Sequence, residues 1–181
     1  MRVLICYATT EGQTRKIAEF VADMVKEAGH EPALFDATVV SELEPDRCQA
    51  AILTGSVHIG RYQTAIVHRI HQWRDALNAM PSAFISVSLA AASDDPHAHA
   101  EADELCQKML QAAGWTPTMT LHAAGAIRFS QYDFFKSLAM RLIARQMGRD
   151  SDPHVDHEYT DWDSVRRFVD SFLAILRGRP G

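Results

Sequence analysis

The chain has 181 residues, 47% of them hydrophobic and 23% charged, with a formal net charge of −5. That length suits one α/β domain with a sizeable core, and the apolar share excludes an intrinsically disordered chain. The negative balance gives no support to a general nucleic-acid-binding role, and no run approaches the roughly 18 apolar residues of a membrane span.

Three cysteines, Cys6, Cys48 and Cys106, form no C-x-x-C pair. This predicts reduced thiols in a cytoplasmic setting. The chain opens on an apolar strand, Val3-Leu4-Ile5-Cys6, and not on the pattern of a signal peptide. A polar loop, Tyr7 to Arg15, comes next. A helix follows, with Ile17, Phe20, Val21, Met24, Val25 and Ala28 on one face. Gly29 and Pro32 punctuate it, and Ala33-Leu34-Phe35 reads as a short second strand ending at Asp36. Ser41 to Asp46 reads as a loop or short helix. Ala50 to Thr54 is a continuous apolar strand bounded by Gly55-Ser56, as in a parallel sheet covered on both faces.

After the loop Ser56 to Tyr62, a helix buries Ile66, Ile70, Trp73 and Leu77 and ends before Pro81. Ala83 to Leu89 is the fourth strand and Ala90 to Pro96 a loop. A helix from about Ala98 to Ala113 is closed by Gly114, and Thr118 to Ala124 is the fifth strand. Thr160 reads as the cap of a last helix, with Asp161 and Asp163 in its first turn. Five alternations of strand and helix predict an α/β, doubly wound, five-stranded parallel sheet in a single domain, 1–181.

The organising stretch is the first strand–helix turn. Helix-start N–H groups have no partners within the helix, and their dipoles add to a positive potential that suits a phosphate. Thr9, Thr10 and Thr14 can add hydroxyl donors, and Gly12 lets the backbone come close. The loop is neither a Walker A motif nor Gly-x-Gly-x-x-Gly. Its spacing resembles the flavodoxin phosphate loop, Thr/Ser-x-Thr-Gly-x-Thr, with Glu11 at the middle hydroxyl position and Gln13 before the last threonine. Glu11 is expected to turn outward and offer only its backbone N–H. The alternative is an ordinary capped turn.

A flavin also needs apolar walls and backbone partners for its pyrimidine edge. Both must come from loops at the carboxyl ends of strands. The candidates are Ser56, Val57, His58, Ile59, Gly60 and Tyr62 after the third strand, and Ser88, Leu89 and Ala90 after the fourth. Tyr62 or Ile59 is expected as a wall, Gly60 as a point of close approach, and His58 or Arg61 as a positive charge near the reduced ring.

Gly125 to Asp156 is too long for a plain connection. Phe135, Leu138, Ala139, Leu142, Ile143 and Met147 recur at helical spacing, with aromatics Phe129, Tyr132 and Phe134 at the entry. Ile127 to Arg149 carries five basic residues against one acid, Asp133. The expectation is a basic helical insertion, about 125–156, between the fifth strand and the last helix. Arg128, Lys136, Arg141 and Arg145 would face an anionic substrate or membrane. A peripheral helix with solvated charges is the other reading.

Other chemistries find little here. His97 with His99, and His154 with His157, have no cysteine or carboxylate set beside them, so no metal site is expected. No G-x-S-x-G elbow is present. Tyr7, Ala8, Thr54 and Gly55 stand where a receiver domain needs acids.

Several stretches together resemble one family: Gly12-Gln13-Thr14-Arg15 with Ile17-Ala18, Gly55-Ser56 through Gly60-Arg61-Tyr62, and Met80-Pro81-Ser82-Ala83-Phe84 with Ser86-Val87. Ala124-Gly125-Ala126 with Arg128-Phe129, Tyr132-Asp133, and Tyr159-Thr160-Asp161-Trp162 add to them. The chain resembles the bacterial flavodoxin-like, menaquinone-dependent protoporphyrinogen oxidases (dehydrogenases) over nearly its whole length. That resemblance implies noncovalent FMN and oxidation of protoporphyrinogen IX to protoporphyrin IX in haem synthesis. It also implies electrons passed to a respiratory quinone, and peripheral contact with the inner face of the cytoplasmic membrane. Two stretches depart from the family: the insertion is less basic, and Ala90 to Asp95 is small and acidic. An electron-carrier flavodoxin and a flavin-dependent NAD(P)H:quinone reductase are the alternatives. Catalytic side chains and a homo-oligomeric state are left open.

Overall fold

The structure is a computed structural model and describes residues 1–39, 44–127 and 157–178. Its main strands are β1 (Arg2–Ala8), β2 (Glu31–Asp36), β3 (Ala50–His58), β5 (Ser82–Ser88) and β6 (Met119–Ala124). They pair in parallel in the order β2-β1-β3-β5-β6. This is the five-stranded doubly wound sheet expected. The three inner strands are largely apolar and mostly buried because both of their faces are covered. Along β1, Val3, Ile5 and Tyr7 enter one core, while Leu4, Cys6 and Ala8 enter the other.

The first core lies under α1 (Gln13–Glu27) and α4 (Trp162–Arg177). Ile17, Val21, Val25, Val165, Val169 and Phe172, all with no exposed surface, join there. The second lies under α2 (Thr64–Ala79) and α3 (Pro96–Ala113). It is the more aromatic core, with Phe84 edge-on to Trp115 at 5.8 Å and to Tyr62 at 5.5 Å. Burying each such side chain contributes about 1.5–3 kcal/mol.

Several boundaries differ from expectation. β3 runs on to His58, past Gly55-Ser56, because it gains a short antiparallel partner, β4 (Arg61–Tyr62). β2 is longer than its apolar run because its backbone pairs with β1 from Glu31 to Asp36. α3 starts two residues early, at Pro96, because the Asp95 carboxylate accepts from the His97 N–H at 3.0 Å. Thr160 is not the cap of α4. Asp161 is, accepting from the Ser164 N–H at 3.0 Å, and Thr160 is turned inward.

A two-stranded ribbon, β7 (Ala126–Ile127) with β8 (His157–Glu158), was not foreseen. It brings the chain back beside its point of departure from β6. The expected basic helix, with Arg128, Lys136, Arg141 and Arg145, lies outside the described residues, as do 40–43 and His154. No described helix is long and apolar enough to cross a membrane.

Candidate functional site

The chain passes from β1 outward to β2, then back across to β3 on the other side of β1. Between β1 and β3 the winding reverses, and ligands of such sheets bind at the carboxyl ends of the strands there. Three loops meet at that edge, after β1, β3 and β5.

The turn after β1 is shaped by Gly12, the N-cap of α1, at φ 90° and ψ −14°. A Cβ is strained in that region, whereas glycine is not. The Gly12 N–H donates to Thr9 Oγ1 at 2.8 Å, which folds the loop back on itself. No described side chain caps α1, so its leading N–H groups keep their donor capacity. Thr14, only 1% exposed, sits in the first turn. Thr10 Oγ1 accepts from Gln63 Nε2, tying the loop to the start of α2.

These residues open onto a narrow cleft of about 60 Å³. Of the expected residues, Thr9, Thr10, Glu11, Gln13, Thr14, Ser56, Val57, His58, Ser88 and Leu89 line it. Glu11 is half-buried and among the lining. Val87, Gly125 and Ala126 line the cleft as well. Sequence reasoning gave them no role. Ala124-Gly125-Ala126 was the available signal, but only the pairing of β6 with β5 carries that bend to the cleft.

Other expected residues lie elsewhere. Tyr62 is 8% exposed and belongs to the α2–α3 core, its Oη 2.6 Å from Ser86 Oγ. It therefore anchors the hairpin from below and is no wall of the cleft. Burial, the largest cause, pushes its pKa far up, so it remains a neutral hydroxyl. Gly60, at φ 67°, serves the tight turn between β3 and β4, a left-handed conformation that glycine takes without strain. Ile59 forms the tip of that turn at φ 48° and is 66% exposed. For a β-branched residue this left-handed backbone costs about 1–2 kcal/mol. Gly12 and Ala90 flank the cleft without lining it.

A buried strut was also missed. Gln13 Nε2 donates to Thr160 Oγ1 at 2.8 Å, and the Thr160 hydroxyl donates to the Ala124 carbonyl at 2.7 Å. One threonine thus joins the starts of α1 and α4 to the end of β6. Its position 147 residues after Gln13 explains why no local pattern disclosed it.

Backbone donors over a cleft at the switch point of a doubly wound sheet define a class: α/β proteins that hold a phosphate group at the first strand–helix turn. A family model described as a flavodoxin domain matches residues 4–154. The chain belongs to the flavodoxin domain family. It is 29% identical over 180 residues to the protoporphyrinogen IX dehydrogenase [quinone] of Escherichia coli, covering 99% of this chain and 98% of that one. A Leishmania major protein of the same name is 29% identical, covering 96% of this chain and 75% of its own. Among solved structures, oxidised flavodoxin 1 from Bacillus cereus superposes with a TM-score of 0.57 at 14% identity, over 96% of this chain and 98% of that one. The flavodoxin of Streptococcus pneumoniae gives 0.51 at 17% identity, over 80% and 99%.

Proposed function

We propose that this chain binds FMN at the cleft and oxidises protoporphyrinogen IX to protoporphyrin IX, passing the electrons to a respiratory quinone. The observation that carries this is its end-to-end similarity to relatives bearing that name, 29% identical over 99% of the chain. The residues present fit the cofactor. Its phosphate meets a helix start with no side-chain cap, a glycine that admits close approach, and the buried Thr14 hydroxyl. Neutral donors suffice for a dianion at such a site.

When bound, the flavin takes up two electrons with hydrogen and later gives them up; the protein supplies placement and electrostatics. Thr9, Thr10 and Thr14 hold the phosphate end. Val57 and His58 from the β3–β4 hairpin and Ser88 and Leu89 after β5 flank the space beyond it. Ile59, apolar, exposed and held in a costly conformation next to His58, is the wall for the ring in place of Tyr62. His58 supplies an imidazole at the cleft edge. One domain, 1–181, carries all of this.

Residues 128–156 supply the second half of the reading. Arg128, Lys136, Arg141 and Arg145 match the two propionates of the substrate or an anionic lipid surface. Peripheral attachment to the inner face of the cytoplasmic membrane would bring the protein to its quinone. The test is turnover: protoporphyrinogen plus quinone should yield fluorescent porphyrin faster than autoxidation, with protein that is yellow and releases FMN on denaturation. No acceleration, with rapid NAD(P)H oxidation instead, would replace this reading with a nicotinamide-driven quinone reductase. Arg141→Glu with Arg145→Glu should keep FMN and lose binding to anionic vesicles or to substrate.

A further inference from the structure

Three loops build the cleft, and two consecutive residues after the β3–β4 turn reach toward the other two. Tyr62 Oη lies 2.6 Å from Ser86 Oγ, on the strand that ends at Ser88. Gln63 Nε2 donates to Thr10 Oγ1 in the loop after β1. Neither Tyr62 nor Gln63 lines the cleft. Each acts on it through a neighbour.

The hairpin depends on such ties. Its ladder is short, Val57 with Tyr62 and His58 with Arg61. Two-stranded hairpins are marginal in water even when longer. One arm, β3, is held by the parallel sheet, but β4 pairs with β3 alone. Between the arms, Ile59 at φ 48° and Gly60 at φ 67° are both left-handed. A costly turn of this kind persists only where its surroundings over-determine it.

Tyr62 fastens the free arm. Its ring is seated over Gly55, where a Cβ would come within 3.4 Å of Tyr62 Cδ1, 3.3 Å of Phe84 Cζ and 3.1 Å of Ile66 Cγ2. A side chain there would crowd the seat. The hydroxyl meets Ser86 and also hydrogen-bonds the Cys106 thiol of α3. Burial raises the pKa of both the Tyr62 hydroxyl and the Cys106 thiol, so the three groups are uncharged. They supply position and not charge. Gln63 fastens the next point along. It stands at the cap position of α2, yet its side chain caps nothing there and crosses to Thr10 instead.

We infer that Tyr62 and Gln63 are positioning residues for FMN: Tyr62 sets the hairpin, with Val57 and His58, against the ring end of the cofactor, and Gln63 sets Thr10 against its phosphate. This rests on the reading of the cleft as the FMN site. It separates two functions that one short segment performs, since only one of the two ties concerns the phosphate.

The test is fluorescence titration of the full chain, freed of FMN, with FMN and with riboflavin, which lacks the phosphate. Tyr62→Phe should weaken both flavins about fivefold, the loss of one neutral hydrogen bond, and change the visible circular dichroism of the bound ring. Gln63→Ala should weaken FMN about fivefold and leave riboflavin affinity as it was. Tyr62→Phe also leaves Ser86 short of a partner and should lower stability. Tyr62→Phe combined with Ser86→Ala removes both partners, which is nearly neutral for folding. In that double variant the urea midpoint should return toward the wild-type value while flavin affinity stays low. If affinity returned with stability, the hydrogen bond would be structural only and the inference overturned. Equal weakening of both flavins by Gln63→Ala, or no change in either by Tyr62→Phe, would also overturn it. The expected pattern without porphyrin formation would defeat the proposed reaction and leave the positioning roles intact. A wild-type chain that bound neither flavin would defeat both.

Discussion

The starts of α1 and α4 lie on the same face of the sheet, joined through Gln13 and Thr160, yet they are built in opposite ways. At α4 the Asp161 carboxylate accepts from the Ser164 N–H at 3.0 Å, and Asp163 follows in the first turn. Its positive end is already neutralised by the chain's own acids. At α1 a glycine at φ 90° takes the cap position, no described side chain caps the helix, and the first turn holds no acid. That end faces the cleft. One helix start is closed by side chains and the other is left open. The fold tolerates the open one because Thr160 fastens it from beneath.

The hardest test of this contrast removes the fastening. Thr160→Val should destabilise the protein by about 2–3 kcal/mol, read by urea or thermal unfolding, because the Ala124 carbonyl and the Gln13 amide each lose a buried partner. An unchanged midpoint would mean that the strut joins nothing of consequence. Thr14→Ala should act on the open end, weakening FMN binding by about 1.5–3 kcal/mol in a fluorescence titration. Folding stability should hardly move, and equal affinity would remove Thr14 from the phosphate site. Asp161→Ala should do the converse, lowering stability by about 1 kcal/mol with FMN affinity intact. If FMN binding fell instead, the two helix starts would not be independent.

The smallest effect is electrostatic. Burial raises the Glu158 pKa, but hydrogen bonds from Lys16 and Trp162 outweigh it, and the net shift is downward. A carboxylate with a depressed folded pKa contributes stability that is present above its unfolded value, 4.5, and is lost as pH falls through the folded one. Glu158→Gln should therefore flatten the decline of stability below about pH 4.5, by tenths of a kcal/mol at most for so exposed a pair. The effect near neutral pH should be slight.

Much of the site was legible. The apolar runs at Val3–Cys6 and Ala50–Thr54 named inner strands, and winding rules then required the loops after them to share an edge. Thr9 to Thr14, Ser56 to His58 and Ser88 to Leu89 followed from that. Tyr62 was misread because an aromatic in a site loop suits a ring wall. Pairing of Val57 with Tyr62 turns its side chain toward Phe84 and Ser86 instead. Thr160 was misread because a threonine beside two aspartates matches a cap pattern, and nothing local says which of them faces inward.

From its order of residues alone this chain declares strand, turn, helix and the return to a parallel sheet. Those depend on periodicity and backbone preference, which act over a few neighbours. Folding in three dimensions alone decides that Thr160 becomes a strut and that Tyr62 goes under the hairpin. Each of these joins positions far apart in the chain, and only the packing of strands and helices sets such distances.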